Sequence, residues 1–133
     1  MLSELRKGAN ANTRVRAWFA GVAEDEIFLS VLVVGEVRRG IETIRRRDSA
    51  QAAVLERWLA RVLRSHADRV LPVDGRVAEE WGRLMATRAG SVIDTLMAAT
   101  ALVHGMVLVT RNVKDVAWTG VSCLDPFQPD PTA

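Results

Sequence analysis

The run Met106 to Thr110, MVLVT, constrains the fold more than any other part of the chain. A short, almost continuously apolar run suits a β-strand covered on both faces, the usual setting of a strand in a parallel sheet. It follows a long apolar helical pattern from about Val92 to His104, which stops at Gly105, a natural helix C-cap. The rest of the chain repeats this alternation. Ile27 to Ser30 reads as a strand after the acidic turn Glu24-Asp25-Glu26, and Ser30 can cap a helix through about Arg47. Asp48 and Ser49 open another helix, with Val54, Leu55, Trp58, Leu59, Val62 and Leu63 at helical spacing. Val70 to Val73 is a short strand whose proline suggests an edge or a strand end. Asp74 can cap a helix carrying Val77, Trp81, Leu84 and Met85, and Val121 to Leu124 forms a final strand. Strands separated by helices predict a mainly parallel α/β sheet, with ligands at the carboxyl ends of its strands.

At 133 residues the chain is the size of one domain. Residues 1–127 are expected to form it, with 128–133 as a disordered tail, because the stretch from Asp125 holds three of the four prolines. No apolar run approaches the roughly 18 residues of a membrane span, and MLSELRKG lacks an apolar signal core, so a cytoplasmic protein is expected. The single cysteine, Cys123, excludes an internal disulfide and has no partners at zinc-ligand spacing. His66 and His104 are isolated in sequence, and His104 stands where an imidazole can cap helix carbonyls. Arg38, Arg39, Arg45, Arg46 and Arg47 crowd one stretch. They fit either a polyanionic partner or a solvated helix face, offset in part by Glu42 and Asp48.

Two acids interrupt apolar helical patterns. Glu36 lies in SVLVVGEVRRG, with Leu32, Val33 and Gly40 as helical neighbours, on or beside the expected buried face. Asp94 lies in SVIDTLMAATALV, on a face shared with Met97, Ala98 and Ala101. An unpaired buried carboxylate costs several kcal/mol, so each needs an arginine, a set of backbone amides or a divalent metal. A third polar cluster, Thr110, Arg111, Asn112 and Asp115, follows the strongest strand. Oxygen ligands from two helices and a strand end would suit Mg²⁺ or Mn²⁺, and carboxylates around such an ion can orient water for attack on a phosphodiester. An equally simple reading pairs Asp94 with Arg111 and leaves Asp115 to cap the next turn.

These segments together resemble the PIN-domain toxins of toxin–antitoxin modules, in particular their VapC and FitB-like branch. LSELRKG, FLSVLVVGEVRRGIE, VIDTLMAATALVHG and LVTRNVKD carry the likeness from Leu2 to about Phe127. The resemblance implies a three-layer α/β fold, with a mainly parallel central sheet flanked by helices. It also implies an endoribonuclease dependent on Mg²⁺ or Mn²⁺. Glu36 and Asp94 match the second and third acids of the family, and Asp115 supplies the last charge. Asn112 stands where many relatives carry aspartate, and it is expected to ligate or position. Thr110, Arg111 and Ser30 are expected to place substrate or water. The resemblance further implies an RNA substrate, a cognate antitoxin, a homodimer, and contact with operator DNA only through the antitoxin complex.

The sequence departs from the family at its start. Relatives open with an apolar strand ending in Asp-Thr-Asn, whereas Met1 to Leu5 looks like the helix that follows that motif. Either the start codon lies further upstream, the reading favoured here, or the chain is truncated and acts as a binding module that sequesters antitoxin. A phosphoryl-accepting signalling domain is disfavoured, because no acidic pair follows an early strand.

Overall fold

The computed structural model describes residues 13–128. The expectations for Met1 to Leu5 and for residues 129–133 of the tail lie outside them. Helix α1 (Thr13–Ala20) leads through a 3-10 turn (Glu24–Glu26) to strand β1 (Leu29–Ser30). The long helices α2 (Val31–Arg45) and α3 (Ser49–Ser65) follow, then β2 (Val70–Leu71), α4 (Gly75–Thr87) and α5 (Val92–His104). Strand β3 (Leu108–Val109), the short α6 (Val113–Val116), a 3-10 turn (Ala117–Thr119) and β4 (Cys123–Leu124) close the order.

The helix starts expected from sequence are made by their capping side chains. Ser30 Oγ accepts from the Leu32 amide at 3.1 Å, Asp48 Oδ1 from Gln51 at 3.0 Å, and Asp74 Oδ1 from Val77 at 3.1 Å. Each such cap stabilises its helix by about 1 kcal/mol. At the other end of α5, Gly105 takes φ 63°, and the Met106 amide donates to the Ala101 carbonyl at 2.9 Å. Backbone amides therefore close this helix, and the buried Nε2 of His104 finds no partner among the described residues.

Two apolar clusters hold the elements. Ile41 of α2 packs on Ala52, Leu55 and Leu59 of α3, with Val37, Ile44, Trp58 and Leu63 at the margin. Ala98 and Ala101 of α5 pack on Val116 and Val121, with Leu102, Leu108 and Cys123 beside them. Burial pushes the Cys123 thiol upward in pKa, which keeps it protonated and unreactive at neutral pH. Gly90, just before the Ser91 cap of α5, leaves room for Trp118: a Cβ there would lie 3.0 Å from Trp118 Cζ2 and 3.0 Å from Thr95 Oγ1. Gly90→Ala is therefore expected to destabilise the fold by about 1–3 kcal/mol in urea unfolding, because neither neighbour is a free side-chain end.

The basic stretch of α2 resolves largely into ion pairs. Arg45 bonds Glu42 at 3.0 Å and Glu56 of α3 at 2.9 Å, and Arg38 also bonds Glu56. The Arg38 guanidinium holds the Glu56 carboxyl below its ordinary range, and Arg45 does the same for Glu42. A lowered folded pKa stabilises above the unfolded value, near 4.5, and is lost as pH falls through the folded value. Glu56→Gln is accordingly expected to narrow its stability difference from wild type between pH 6 and pH 3. Added salt should shrink the same difference at pH 6, as expected for exposed pairs. Melting curves over pH and salt would check both.

Both strand pairs are parallel, as expected, but they are separate. Leu29 and Ser30 pair with Val70 and Leu71, and Leu108 and Val109 with Cys123 and Leu124. Among the described residues no strand joins β1 to β3. The four strands expected at four or five residues each shorten to two, because a ladder extends only where a neighbour is present to accept it.

Candidate active site

At the carboxyl ends of β1 and β3 a cavity of about 480 Å³ opens between α2, α3, α5 and the segment after β3. Glu36, Asp94, Thr110, Arg111 and Asn112 all line it, although they come from three separate stretches of sequence. Five of the seven predicted site residues thus share one surface.

Glu36 sits on the second turn of α2. It lies roughly 140° around the helix from Ile41, the residue that anchors α2 to α3. The carboxylate is therefore exposed at the cavity beside the buried stripe, which corrects the expectation that it might share the buried face. Arg39, one turn later, lines the same cavity. Its guanidinium forms no ion pair among the described residues.

Asp94 is half-buried in the first turn of α5, where Ser91 Oγ accepts from its amide at 3.4 Å. The unpaired amides of a helix start favour a carboxylate there. Its neighbours Ala98 and Ala101 are buried, and Met97 reaches the cavity wall. The Asp94–Arg111 pair weighed from sequence does not form. The Arg111 guanidinium lies over the Phe127 ring, 4.3 Å from its centroid. Among the described residues Glu36 and Asp94 have no cationic partner within ion-pair distance.

Thr110 shapes the third wall. Its amide donates to Leu124 at 2.9 Å, and its Oγ1 accepts from the Asn112 amide at 3.0 Å. That turn sets Asn112 at the cavity. Asn112 is the N-cap residue of α6, yet its side chain caps nothing, so the amide group is free to face a ligand. Asp115 and Ser30 fall outside the cavity lining. Val116 is buried against Ala98, Ala101 and Val121, and this phase turns Asp115, one residue earlier, into solvent. The capping role expected for it is also absent, since no side-chain bond caps the turn that follows. Ser30 Oγ is committed to capping α2.

Two further lining residues were read from sequence only in other settings. Arg39 was part of the basic cluster of α2, although it follows Glu36 at helical i,i+3 spacing. Trp58 was read as part of the apolar pattern of α3, and it is half-buried there.

No group of three or more His, Cys, Asp or Glu side chains suited to a metal occurs among the described residues. The set present is nonetheless all oxygen and hard: two carboxylates, an amide and a hydroxyl. Mg²⁺ commonly takes one or two carboxylates and completes its shell with water and substrate phosphate. The donors present fit such an ion, and they do not suit zinc.

The family model for the PIN domain matches residues 1–114. The chain is 32% identical over 137 residues to the VapC ribonuclease Y4jK of Sinorhizobium fredii, covering 97% of this chain and 94% of that protein. It is 28% identical over 121 residues to the toxin FitB of Neisseria gonorrhoeae, covering 87% of this chain and 86% of that one. A solved structure of FitAB bound to an IR36 DNA fragment superposes with a TM-score of 0.87 at 25% identity, over 99% of this chain and 94% of that chain.

Proposed function

The chain belongs to the PIN-domain family, with relatives of the VapC and FitB type, and from that premise we propose that it is a metal-dependent endoribonuclease, the toxin half of a toxin–antitoxin pair. The observation that carries this reading is the convergence of Glu36 and Asp94, from helices far apart in sequence, on one polar cavity at the strand ends. Mg²⁺ or Mn²⁺, when bound, would neutralise phosphoryl charge and make a water more acidic.

The remaining work belongs to the side chains. Glu36 and Asp94 would hold the cation, and a carboxylate oxygen of either residue left free would accept the proton of the attacking water as the P–O bond to the leaving strand breaks and that oxygen takes a proton from solvent. Asn112, held by the Thr110 turn, orients that water or the scissile phosphate. Arg39 and Arg111 flank the carboxylates and take the phosphates on either side of the cut, where guanidinium forks match phosphate oxygens. Asp115, outside the cavity, adds only to the local field, so Asp115→Asn should have a smaller effect than a change at Glu36 or Asp94.

A small antitoxin protein is the partner that this toxin reading implies, and the likeness to the FitAB structure, at 25% identity, supports it. A homodimer, and operator DNA reached only through the antitoxin complex, complete the reading. No helix among the described residues is long and apolar enough to cross a membrane.

The second reading, a non-catalytic module that sequesters antitoxin, draws on the absence of a three-acid group among the described residues. One experiment separates them: Mg²⁺-dependent cleavage of total RNA by residues 1–133 and by a form extended with the upstream in-frame codons. Cutting by either form, abolished by chelation, supports the ribonuclease. Silence from both over a range of Mg²⁺ and Mn²⁺ leaves the binding module.

A further inference from the structure

Arg111 lines the carboxylate cavity, yet its guanidinium rests on the Phe127 ring, 4.3 Å from the ring centroid. The segment that carries this ring is fixed from several directions. Strand β4 runs parallel to β3 with Leu124 opposite Val109, and the Thr110 amide donates to the Leu124 carbonyl at 2.9 Å. The two stretches therefore leave the ladder side by side, one toward Arg111 and the other toward Phe127. A turn follows β4 at once. Pro126 is buried, the Phe127 amide donates to Asp125 Oδ1 at 2.9 Å, and the Gln128 amide donates to the Asp125 carbonyl at 3.1 Å. Proline and an aspartate bonded two residues on make this a defined turn, which sets where the Phe127 ring stands. From α1, the Arg14 guanidinium donates to the Phe127 carbonyl at 3.3 Å. Arg111 itself is exposed, so the ring is the fixed partner and the arginine the mobile one.

We propose that Phe127 is a positioning residue of the cavity: its ring holds Arg111 off Asp94, which leaves the acids free for a cation and the guanidinium free for a phosphate. The inference rests on the cation site of the ribonuclease reading and adds what keeps that site open. Asp94 and Arg111 carry opposite charges and line one cavity, and Asp94 has no cationic partner within ion-pair distance among the described residues. A half-buried carboxylate draws a nearby guanidinium, so an unrestrained Arg111 would settle on it. That pair would neutralise Asp94 and occupy the N–H edge of the arginine. Stacking has the opposite consequence. It uses the flat face of the guanidinium and leaves the N–H groups in its plane available to phosphate oxygens. An exposed cation–π contact favours the stacked position by about two- to fivefold, enough to set a preference and weak enough for Arg111 to reach a substrate.

The test uses the full 133-residue chain and two readouts, the first of them without metal. In wild type the ring current of Phe127 should shift the Arg111 Cδ protons upfield of their ordinary NMR position. Phe127→Leu keeps apolar bulk but loses the ring. There the upfield shift should vanish, and the Arg111 Nε–H should move downfield as it bonds Asp94. Adding Asp94→Asn to Phe127→Leu should cancel that downfield movement. The second readout is Mn²⁺ uptake followed by electron paramagnetic resonance. Phe127→Leu should weaken it about two- to fivefold, and Phe127→Tyr should match wild type. Phe127→Leu combined with Arg111→Gln should recover it, because the competing cation is gone. A variant that had merely loosened the turn would not be recovered by the second change. The proposal is overturned if the Arg111 signals ignore the loss of the ring or of the Asp94 charge. It is equally overturned if Phe127→Leu takes up Mn²⁺ as wild type does, or if Arg111→Gln restores nothing. Failure of the cation site looks different: wild type then takes up no Mn²⁺, while the metal-free spectra still decide whether Phe127 holds Arg111 off Asp94.

Discussion

Asp94→Asn is expected to slow RNA cleavage by on the order of 10²–10³-fold, equivalent to about 3–4 kcal/mol of transition-state stabilisation, with circular dichroism unchanged. The substitution keeps the shape of the side chain and its place one turn into α5, where the Ser91 cap remains. Removed is the negative charge that would help hold a divalent cation in the cavity it shares with Glu36. Glu36→Gln should lose a similar factor, because the two acids lie on different helices and neither can move to replace the other. The double variant should lose little more than either single one if both serve one ion, since groups acting as a unit are not additive. A fall of less than tenfold at Asp94, in a protein shown to cleave RNA, would move the chemistry elsewhere.

Leu59→Ala carries the largest expected effect on stability. Leu59 is 1% exposed at the centre of the α2–α3 contact, against Ile41, Ala52 and Leu55. Truncation there removes the transfer energy of the lost methyls and leaves a cavity in a contact made by two rigid helices. About 3 kcal/mol is expected, within the 2–5 kcal/mol range for buried leucines. Against a total of roughly 5–15 kcal/mol, that is a large share. The neighbouring control is Val54→Ala, since Val54 is 49% exposed and its loss should stay near ~0.5 kcal/mol. The same helix pair positions Glu36 and Arg39. Leu59→Ala should therefore lose activity on warming well before wild type, while Val54→Ala should not.

What the sequence made legible, and what it did not, follows from the range of the forces involved. Helix starts are local: Ser30, Asp48, Asp74 and Ser91 each satisfy an amide two or three residues away, so their helices could be read from the chain alone. The stop at Gly105 is local for the same reason, being a left-handed residue with two carbonyls within reach. Strand lengths are not local. Met106 and Val107 have the composition of a strand but no neighbour to pair with among the described residues, and the β3–β4 ladder is confined to Leu108 and Val109. The acids divide the same way. Glu36 and Asp94 lie on long helices whose phase is set over several turns, and both reach the cavity. Asp115 lies on a four-residue helix whose phase is set by one contact, the burial of Val116, which spacing from Thr110 does not reveal.

The central claim is that Glu36 and Asp94 together form a hard-cation site, and Mn²⁺ binding followed by electron paramagnetic resonance tests it without requiring a known RNA. The protein should take up Mn²⁺ saturably and release it to excess Mg²⁺. Glu36→Gln and Asp94→Asn should each weaken the uptake on the order of tenfold or more, and Asp115→Asn should leave it nearly unchanged. Uptake indifferent to Glu36 and Asp94, or lost on replacing Asp115 alone, would contradict the account.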